Sequence, residues 1–330
     1  MNKEYFFMKN RIAVILYQHL SEHPTLDDED VLEQVTMVKN ALIELKYDCV
    51  VRDIGNDLYG DLNKIRELHP CFVFNLVEVV FGKTELLPFI ASMMKAMHIP
   101  YTGVSDSTLF LTTSKPLAKK YMKQAGIRTA EWFPVSSDFK PETLKKYILK
   151  PEAEEGSISL DEDAVFSGQD FLRILNTVKG KSESFFIEEF IEGREFNLSV
   201  IGTPGHYEVF PVAEMCYNDF PEGKEHLLGY RAKWEENSFE YQHTSRSFDT
   251  LNKEPKLKME LIDLSIKCGD VFDISGYYRV DFRVSKDNKP FVLEINGNPC
   301  LSPSSGFMSA AAQKGINNTE IIKRIVDILN

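Results

Sequence analysis

The fold is decided by residues 278–299, which read YRVDFRVSKDNKPFVLEINGNP. Apolar and polar residues alternate in both arms of this stretch, as in two half-buried strands, and the short polar link between them favours a hairpin. With the turn centred on the Asp-Asn pair of that link, counting places Asp281 opposite Glu294. The same count places Arg279 opposite Asn296, on the same face of the hairpin.

Two carboxylates that face each other across a strand ladder repel, so their placement here favours a bound cation. Oxygen ligands such as Asp281, Glu294 and Asn296 suit Mg²⁺ rather than zinc, and Mg²⁺ is usually held by one or two carboxylates together with substrate phosphates. The hairpin therefore predicts a metal–nucleotide site with Arg279 beside it. The alternative is a surface hairpin whose charges face water.

Composition is that of an ordinary globular protein, since 43% of the 330 residues are hydrophobic and 27% are charged. This length predicts two or three domains. The formal charge of −12 argues against nucleic acid and anionic membranes as partners. Five scattered cysteines without a C-x-x-C pair are typical of reduced thiols in a cytosolic protein. The longest early apolar run, residues 12–17, is too short for a signal-peptide core or a membrane span, so we expect a cytoplasmic protein.

The N-terminal third alternates predicted strands and helices. Strands are predicted at 11–17, 49–54 and 71–76, and helices at 31–45 and 61–69. This order predicts an open parallel α/β sheet, in which ligands lie beyond the carboxyl ends of the strands. The loops at those ends are residues 18–30 and 75–82.

Three later segments carry weaker signals. Residues 107–124 predict one helix, and residues 228–255 predict a loop because they show little periodicity. The small polar loop 155–159 follows Lys150, and its backbone N–H groups and hydroxyls could wrap phosphate oxygens. It is not a Walker A loop, and a plain surface turn is the alternative.

Taken together, these motifs resemble the ATP-grasp superfamily, and most closely the D-alanine–D-alanine ligase family. The matching stretches are Phe74-Asn75, residues 99–103 (IPYTG), Glu188-Glu189, residues 192–196 (EGREF), residues 279–282 (RVDF), residues 293–296 (LEIN) and Pro299. The resemblance covers the chain from Arg11 onward. It implies an ATP-grasp fold with an N-terminal, Rossmann-like open parallel α/β domain at 1–103. Two α+β subdomains, at 104–186 and 187–330, would clamp ATP.

The resemblance also implies roles for individual residues. ATP contacts are expected from Lys115, Lys150, Glu188, Glu189, Ile191, Glu195 and Lys233. Mg²⁺, or alternatively Mn²⁺, would be held by Asp281, Glu294 and Asn296. Catalysis would use Arg279 at the oxyanion, Lys233 on a mobile lid loop, and Ser157 in the polar loop.

The departures from the family pattern fall where substrates are chosen. Glu78 stands where the family has a histidine, and Trp234 where it commonly has a tyrosine. Beyond the metal motif, the usual SPGMT becomes NPCLS at residues 298–302, and Ser305 matches the serine that binds the second substrate's carboxylate. The glutamate expected after the first strand has no clean match, which leaves Glu29 and Asp30 as candidates. Glu78, Trp234 and Ser305 are therefore the predicted substrate residues.

The function implied by the resemblance is ATP-dependent ligation of a carboxylate to an amine through an acyl phosphate, as in D-alanine–D-alanine ligases. One alternative is an amino-acid or dipeptide ligase with substrates other than D-alanine. The alternative from another class is a non-catalytic ATP-binding regulatory protein. The expected partners are small amino-acid or carboxylate substrates, without nucleic acid or membrane, and a homodimer is left open.

Overall fold

The computed structural model describes residues 11–20, 26–153, 161–179 and 184–329. The first of its three sheets is parallel. Its strands are β1 (Ile12–Gln18), β2 (Asp48–Ile54) and β3 (Phe72–Asn75), in the order β2-β1-β3. Its helices are α1 (Leu26–Glu44), α2 (Leu58–Glu67) and α3 (Leu87–Ala96). Ala13 and Ile15 pack on the α1 side of the sheet, while Val14 and Leu16 pack on the side of α2 and α3. The continuous apolar run thus forms a strand buried on both faces, as predicted.

The stretch predicted as one helix at 107–124 forms two, which corrects that expectation. They are α4 (Asp106–Thr113) and α5 (Lys115–Gln124), separated by Ser114 in an extended conformation. Pro116 lacks a backbone N–H and fits only the first turn of a helix, so it starts a new one. The backbone N–H of Lys115, at the new start, donates to the carbonyl oxygen of Glu152 at 2.8 Å. The break therefore places Lys115 beside the end of a neighbouring strand.

A second, smaller sheet is antiparallel and has four strands. These are β4 (Trp132–Pro134), β5 (Lys146–Pro151), β6 (Val165–Ser167) and β7 (Phe185–Glu189), in the order β4-β7-β5-β6. Helix α6 (Phe171–Thr177) lies between β6 and β7 in the chain. Its apolar face has a core of its own, in which Tyr147 and Phe166 stack with ring centroids 5.8 Å apart.

The third sheet has six strands. They are β8 (Gly193–Thr203), β9 (His206–Val209), β10 (Ala213–Tyr217), β11 (Thr244–Ser247), β12 (Gly276–Ser285) and β13 (Pro290–Asn296), in the order β11-β10-β8-β12-β13, with β9 also paired to β8. The remaining helices are α7 (Tyr230–Trp234), α8 (Phe239–His243), α9 (Pro255–Val271), α10 (Gly306–Gln313) and α11 (Asn318–Asp327). Helices α4, α5 and α9 contribute to the core beneath this sheet.

The β12–β13 hairpin has the predicted pairs but reaches them by another route. Asp281 pairs with Glu294, whereas Phe282 pairs with Val292, so Leu293 is an extra residue in a bulge. Near the turn the pairing centres on Asp287 alone, and the bulge restores the predicted register.

The bulge matters because it changes which side chains share a face. Val292 and Ile295 both enter the hydrophobic core although they are three residues apart. Leu293, Glu294 and Asn296 face the cleft described below.

Residues 228–255 are more ordered than predicted, and the loop expectation was wrong there. They contain α7, α8 and β11, the last paired antiparallel to β10. Their order comes from tertiary contacts: Phe239 stacks on His243 with ring centroids 4.0 Å apart, and the Ser238 hydroxyl accepts a hydrogen bond from the N–H of Tyr241. Such contacts leave no periodic signature in the sequence.

The parallel sheet and the six-stranded sheet are joined through a shared core. Helix α1 packs against α11, with Val38 and Leu42 in the same buried cluster as Ile321 and Ile325. The division at 103 and 186 stays a prediction, and strand β7 of the small sheet extends from 185 to 189, across the second boundary.

Candidate active site

A cleft of about 540 Å³ lies where the three sheets meet. It is lined by the fourteen described residues to which the sequence assigned an ATP, metal, catalytic or substrate role: Glu78, Lys115, Lys150, Glu188, Glu189, Ile191, Glu195, Lys233, Trp234, Arg279, Asp281, Glu294, Asn296 and Ser305. Ser157 lies outside the described residues. Residues separated by more than two hundred positions in the chain are thus gathered around one space, although their roles remain predictions.

The hairpin presents its two carboxylates to this cleft, each next to a cation. Arg279 forms a bidentate pair with Asp281, with Nε–Oδ1 at 2.7 Å and Nη2–Oδ2 at 2.8 Å. The Asn197 amide also donates to Asp281 Oδ1 at 2.8 Å. Lys115 Nζ lies 3.4 Å from Glu294 Oε2.

The pKa of Glu294 reflects this setting. Burial opposes its ionisation, but the positive charges of Lys115, Lys150, Arg279 and Lys233 outweigh burial and lower the pKa to about 2. Glu294 is therefore a carboxylate at neutral pH, which is the form that a metal ion requires.

The oxygen donors of the hairpin fit Mg²⁺ by number and type. Asp281 and Glu294 supply two opposed carboxylates and Asn296 an amide oxygen, which also accepts the backbone N–H of Asn298 at 2.7 Å. No group of three or more His, Cys, Asp or Glu side chains suited to a metal occurs in the described ranges. The candidate set is therefore a partial one, of the kind that substrate phosphates complete.

Lys119 is a buried lysine that sequence reasoning missed. Its side chain is 0% exposed, and Nζ donates to Glu188 Oε1 and to Thr129 Oγ1, each at 2.7 Å. Lys150 Nζ approaches the other oxygen of Glu188, Oε2, at 2.9 Å. Glu188 therefore holds the cleft lysine Lys150 on one side and the buried Lys119 on the other.

The pKa values of both partners in this buried pair are shifted downward. Burial lowers the pKa of Lys119 but Glu188 opposes that shift, and the pKa of Glu188 is below its usual range because Lys119 and Lys150 outweigh its burial. The carboxylate of Glu188 is thus engaged by two lysines. The adenine contact predicted for Glu188 stays a prediction. The one signal for Lys119 was its position four residues after Lys115, on the same face of α5.

A buried arginine, Arg283, holds another of the residues predicted to bind ATP. Arg283 is 3% exposed, with Nη2 3.1 Å from Glu195 Oε2, and it donates to the carbonyl oxygen of His226. The Tyr217 hydroxyl donates to the same glutamate oxygen at 2.8 Å. The Arg283 guanidinium also lies over the Phe190 ring, 5.2 Å from its centroid. Glu195, predicted to contact ribose, is thus fixed from two sides.

Lys233 and Trp234 reach the cleft from α7, inside the stretch predicted to be a lid. Burial and the nearby Arg279 lower the pKa of Lys233, while Glu294 and Asp281 oppose the change. Lys233 thus belongs to the same electrostatic cluster as the hairpin.

The first sheet contributes an acidic wall. The Gln34 Nε2 donates to Glu78 Oε1 at 2.8 Å and lies 3.4 Å from Asp30 Oδ2, so one amide bridges two carboxylates. The Cys300 thiol donates to Asp30 at 2.9 Å. Of the two candidates from the first loop, Asp30 lines the cleft and Glu29 does not.

Burial, together with Glu78 and Asp30, raises the pKa of Cys300 well above its usual value. The thiol is therefore neutral at physiological pH. Local sequence could not have identified Gln34, because two of its partners, Glu78 and the backbone N–H of Leu301, lie 44 and 267 residues away in the chain.

The opposite wall is formed by the start of α10. Ser305 is the N-cap residue, and its hydroxyl accepts the N–H of Met308 at 3.3 Å. Arg246 of β11 lines the cleft beside Ser304 and Ser305. Arg246 was not among the site residues predicted from the sequence.

Solved structures with this architecture are ATP-grasp ligases. The chain superposes on the D-alanine–D-alanine ligase of Bacillus anthracis complexed with ATP with a TM-score of 0.73, over 97% of both chains and with 20% sequence identity. The parallel sheet, the small antiparallel sheet and the large antiparallel sheet of this chain therefore form an ATP-grasp fold, which confirms the predicted fold class.

The family follows from sequence. The family described as D-ala D-ala ligase C-terminus matches residues 121–327. The D-alanine–D-alanine ligase of Carboxydothermus hydrogenoformans is 28% identical over 297 residues, which cover 87% of this chain and 89% of that protein. The corresponding ligase of Aquifex aeolicus is 26% identical over 286 residues, 84% of this chain and 90% of that protein. The chain belongs to the D-ala D-ala ligase family, a family of ATP-dependent ligases that form C–N bonds, as the motifs predicted.

Proposed function

We propose that this protein activates the carboxylate of one amino acid with ATP and joins it to the amine of another. The observation that carries the proposal is the cleft itself, in which an opposed carboxylate pair, Asp281 and Glu294, lies among Lys115, Lys150, Lys233 and Arg279. Phosphoryl transfer depends on alignment and on neutralising charge rather than on a protein nucleophile. This cluster supplies both.

In this proposal Lys115 and Lys150 bind the phosphates of ATP, while Glu195 and the backbone at Ile191 contact the nucleoside. Asp281, Glu294 and Asn296 hold Mg²⁺, or Mn²⁺ in its place. When bound, the ion would supply positive charge to the phosphates, which would favour attack at the γ-phosphorus. Two ion pairs support this assignment of phosphate and nucleoside contacts. Glu188 orients Lys150, and Arg283 holds Glu195, the predicted ribose contact.

Two steps follow. A carboxylate oxygen of the first substrate attacks the γ-phosphorus, and the bond from phosphorus to the bridging oxygen breaks, which gives an acyl phosphate and ADP. The amine nitrogen of the second substrate then attacks the acyl carbon, the carbon–oxygen bond to phosphate breaks, and the amine proton leaves with the phosphate. Arg279 stabilises the negative oxygen of the tetrahedral intermediate, and Lys233 neutralises the transferred phosphate. Closure of the 228–250 stretch would keep water from the acyl phosphate.

D-alanyl-D-alanine synthesis is the reference reaction, because the relatives above carry that name. A ligase for other amino acids is favoured by the carboxylates of Glu78 and Asp30, which make one wall of the substrate end acidic. The same end carries Trp234 in place of the family's usual tyrosine. A non-catalytic ATP-binding protein is the less economical alternative, since it would not need the full set of lysines, arginine and carboxylates.

We also propose that the protein works in the cytoplasm on small molecules, without nucleic acid, and a homodimer fits the proposal. None of the described cysteines forms a disulfide bond. No described helix is long and apolar enough to cross a membrane.

The test is phosphate release from ATP by purified protein across a panel of amino acids of both hands, with products identified by mass spectrometry. Release that depends on an amino-acid pair, with one new C–N bond in the product, supports the ligase. Absence of substrate-dependent release across the panel would overturn it. Release with D-alanine alone, yielding only D-alanyl-D-alanine, would overturn the idea of other substrates.

A further inference from the structure

Arg246 is a half-buried arginine whose charge is not matched by a carboxylate in the described part of the chain. Its Nη1 donates to Ser309 Oγ at 2.8 Å and points to the Ser304 carbonyl oxygen at 3.4 Å. Its Nε is fully buried and has no hydrogen-bond partner among the described residues. Strand β11 fixes the backbone of Arg246, which pairs with Met215 of β10.

This arrangement costs free energy in the protein alone. A buried guanidinium loses hydration, and an unpaired one does not recover it. The positive charge of Arg279 acts on Arg246, so burial and this repulsion both lower the pKa of Arg246. Arg279, by contrast, has its charge matched by Asp281. Arg246 therefore adds a positive charge that only a bound anion would compensate.

The surroundings of Arg246 suit a carboxylate. Ser304, Ser305 and Gly306, at the start of α10, line the cleft beside it. A Cβ atom built on Gly306 would lie 3.6 Å from Arg246 Nη2, so the guanidinium lies directly against this corner of the cleft. The planar fork of an arginine binds carboxylates in a bidentate manner, which sets both position and orientation.

We propose that the second, amine-bearing substrate carries an additional carboxylate that Arg246 binds, so that the acceptor is an acidic amino acid or a similar dicarboxylate. This inference rests on the proposed ligase function, in which Ser305 serves the α-carboxylate of that substrate. Arg246 is one more cation than a neutral amino acid would require. The nucleotide phosphates have their own lysines, Lys115 and Lys150, in the other half of the cleft.

The experiment compares acceptors that differ only in charge. Aspartate and glutamate of both hands are each paired with their amides, asparagine and glutamine, and kcat/KM is measured from ADP release. The acidic acceptor should be favoured by at least about tenfold over its amide, because the amide leaves Arg246 without a counter-ion. Equal use of acid and amide, or a preference for the amide, would overturn the proposal.

A substitution then assigns the preference to Arg246. Arg246→Met should lower kcat/KM for the acidic acceptor by about 100-fold, mainly through KM, and for the amide by less than about tenfold. Arg246→Lys keeps the charge but not the planar guanidinium, so its kcat/KM for the acidic acceptor should lie between those of the unmodified protein and Arg246→Met. It replaces Arg246→Met in the test if the methionine variant does not fold. Arg173→Met is the matched control, since Arg173 is exposed and outside the cleft. Equal losses for acid and amide would mean that Arg246 does not select the extra carboxylate.

A binding measurement separates this inference from the ligase function. Calorimetry with a non-hydrolysable ATP analogue and Mg²⁺ should show that the acidic amino acid binds to the protein more tightly than its amide, and that Arg246→Met removes the difference. If no amino-acid pair causes the release of ADP, the proposed ligase function is wrong. The titration still shows whether Arg246 binds an additional carboxylate. Absence of any difference in binding would overturn the site whether or not the enzyme turns over.

Discussion

The two halves of the cleft arrange their charges in opposite ways. In the half that we propose binds the nucleotide, called the nucleotide half below, opposite charges are paired within the protein, as Lys150 and Lys119 with Glu188 and as Arg283 with Glu195. The half proposed to bind the amino acids is called the substrate half. In the substrate half, like charges lie near one another. The carboxylates of Asp30 and Glu78 approach the same Gln34 amide, and on the far wall Arg246 lies near Arg279.

The contrast indicates what each half is built for. Paired charges are stable without a ligand, so the nucleotide half is preorganised. Like charges are costly until a ligand of opposite charge arrives, so the substrate half selects its ligands by charge. An ammonium group would suit the acidic wall, and carboxylates would suit the basic one, which is the charge pattern of amino acids.

The largest effect on turnover should come from removing a carboxylate of the β12–β13 hairpin, which lies between the two halves. We expect Glu294→Gln to lower kcat by about 1,000-fold at moderate Mg²⁺, because the variant loses a metal ligand and leaves Lys115 without its partner carboxylate. Part of the loss should be recovered at high Mg²⁺. Steady-state ADP release over a Mg²⁺ series measures both.

Asp287→Asn is the control for that experiment. It removes a carboxylate from the exposed turn of the same hairpin, where Asp287 pairs with Lys289 at 2.5 Å. Its turnover should match that of the unmodified protein. Unchanged turnover in Glu294→Gln itself would refute the metal assignment.

A smaller effect should follow from unpairing the preorganised half. Lys119→Met should destabilise the fold by about 3 kcal/mol, because it removes one partner of a buried ion pair. It should also raise KM for ATP by about tenfold, since Glu188 would then attract Lys150 more strongly and compete with the phosphates. KM for the amino acids should change much less.

Addition of Glu188→Gln to Lys119→Met tests the cause. The double variant removes the competing carboxylate, so KM for ATP should fall back toward the original value while thermal stability stays low. Lys120→Met, an exposed neighbour on the same helix, should change neither quantity. A KM for ATP that stays the same in Lys119→Met would mean that Lys119 only supports the fold.

The sequence predicted best what depends on near neighbours. The hairpin pairs Asp281–Glu294 and Arg279–Asn296 follow from spacing within one short stretch, and the structure has both. The bulge at Leu293 was missed because an apolar residue there satisfies simple alternation equally well. The ATP-grasp fold class was also predictable, because its motifs recur in a fixed order along the chain.

What the sequence could not predict depends on distant partners. Lys119 meets Glu188 across 69 positions, and Arg246 meets Ser309 across 63, so neither contact has a local signature. Both residues have a charged side chain at a position that local pattern assigns to solvent. Arg246 was not among the predicted site residues for this reason, since only the folded chain shows which polar side chains lose water.

The smallest expected effect sharpens the charge contrast at the acidic wall. Because burial and the carboxylates of Glu78 and Asp30 raise the pKa of Cys300, little thiolate forms there, and iodoacetamide at pH 8 should alkylate Cys300 far more slowly than the exposed Cys71. Glu78→Gln removes one negative charge, which lowers that pKa and should speed alkylation of Cys300 about threefold. Peptide mapping by mass spectrometry follows both cysteines in one sample, with Cys71 as the internal reference.

Glu85→Gln, at an exposed position, should change neither rate. If Glu78→Gln leaves Cys300 as slow as before, Glu78 does not contribute to the field at this wall, and the acidic character of the substrate half would rest on Asp30 alone.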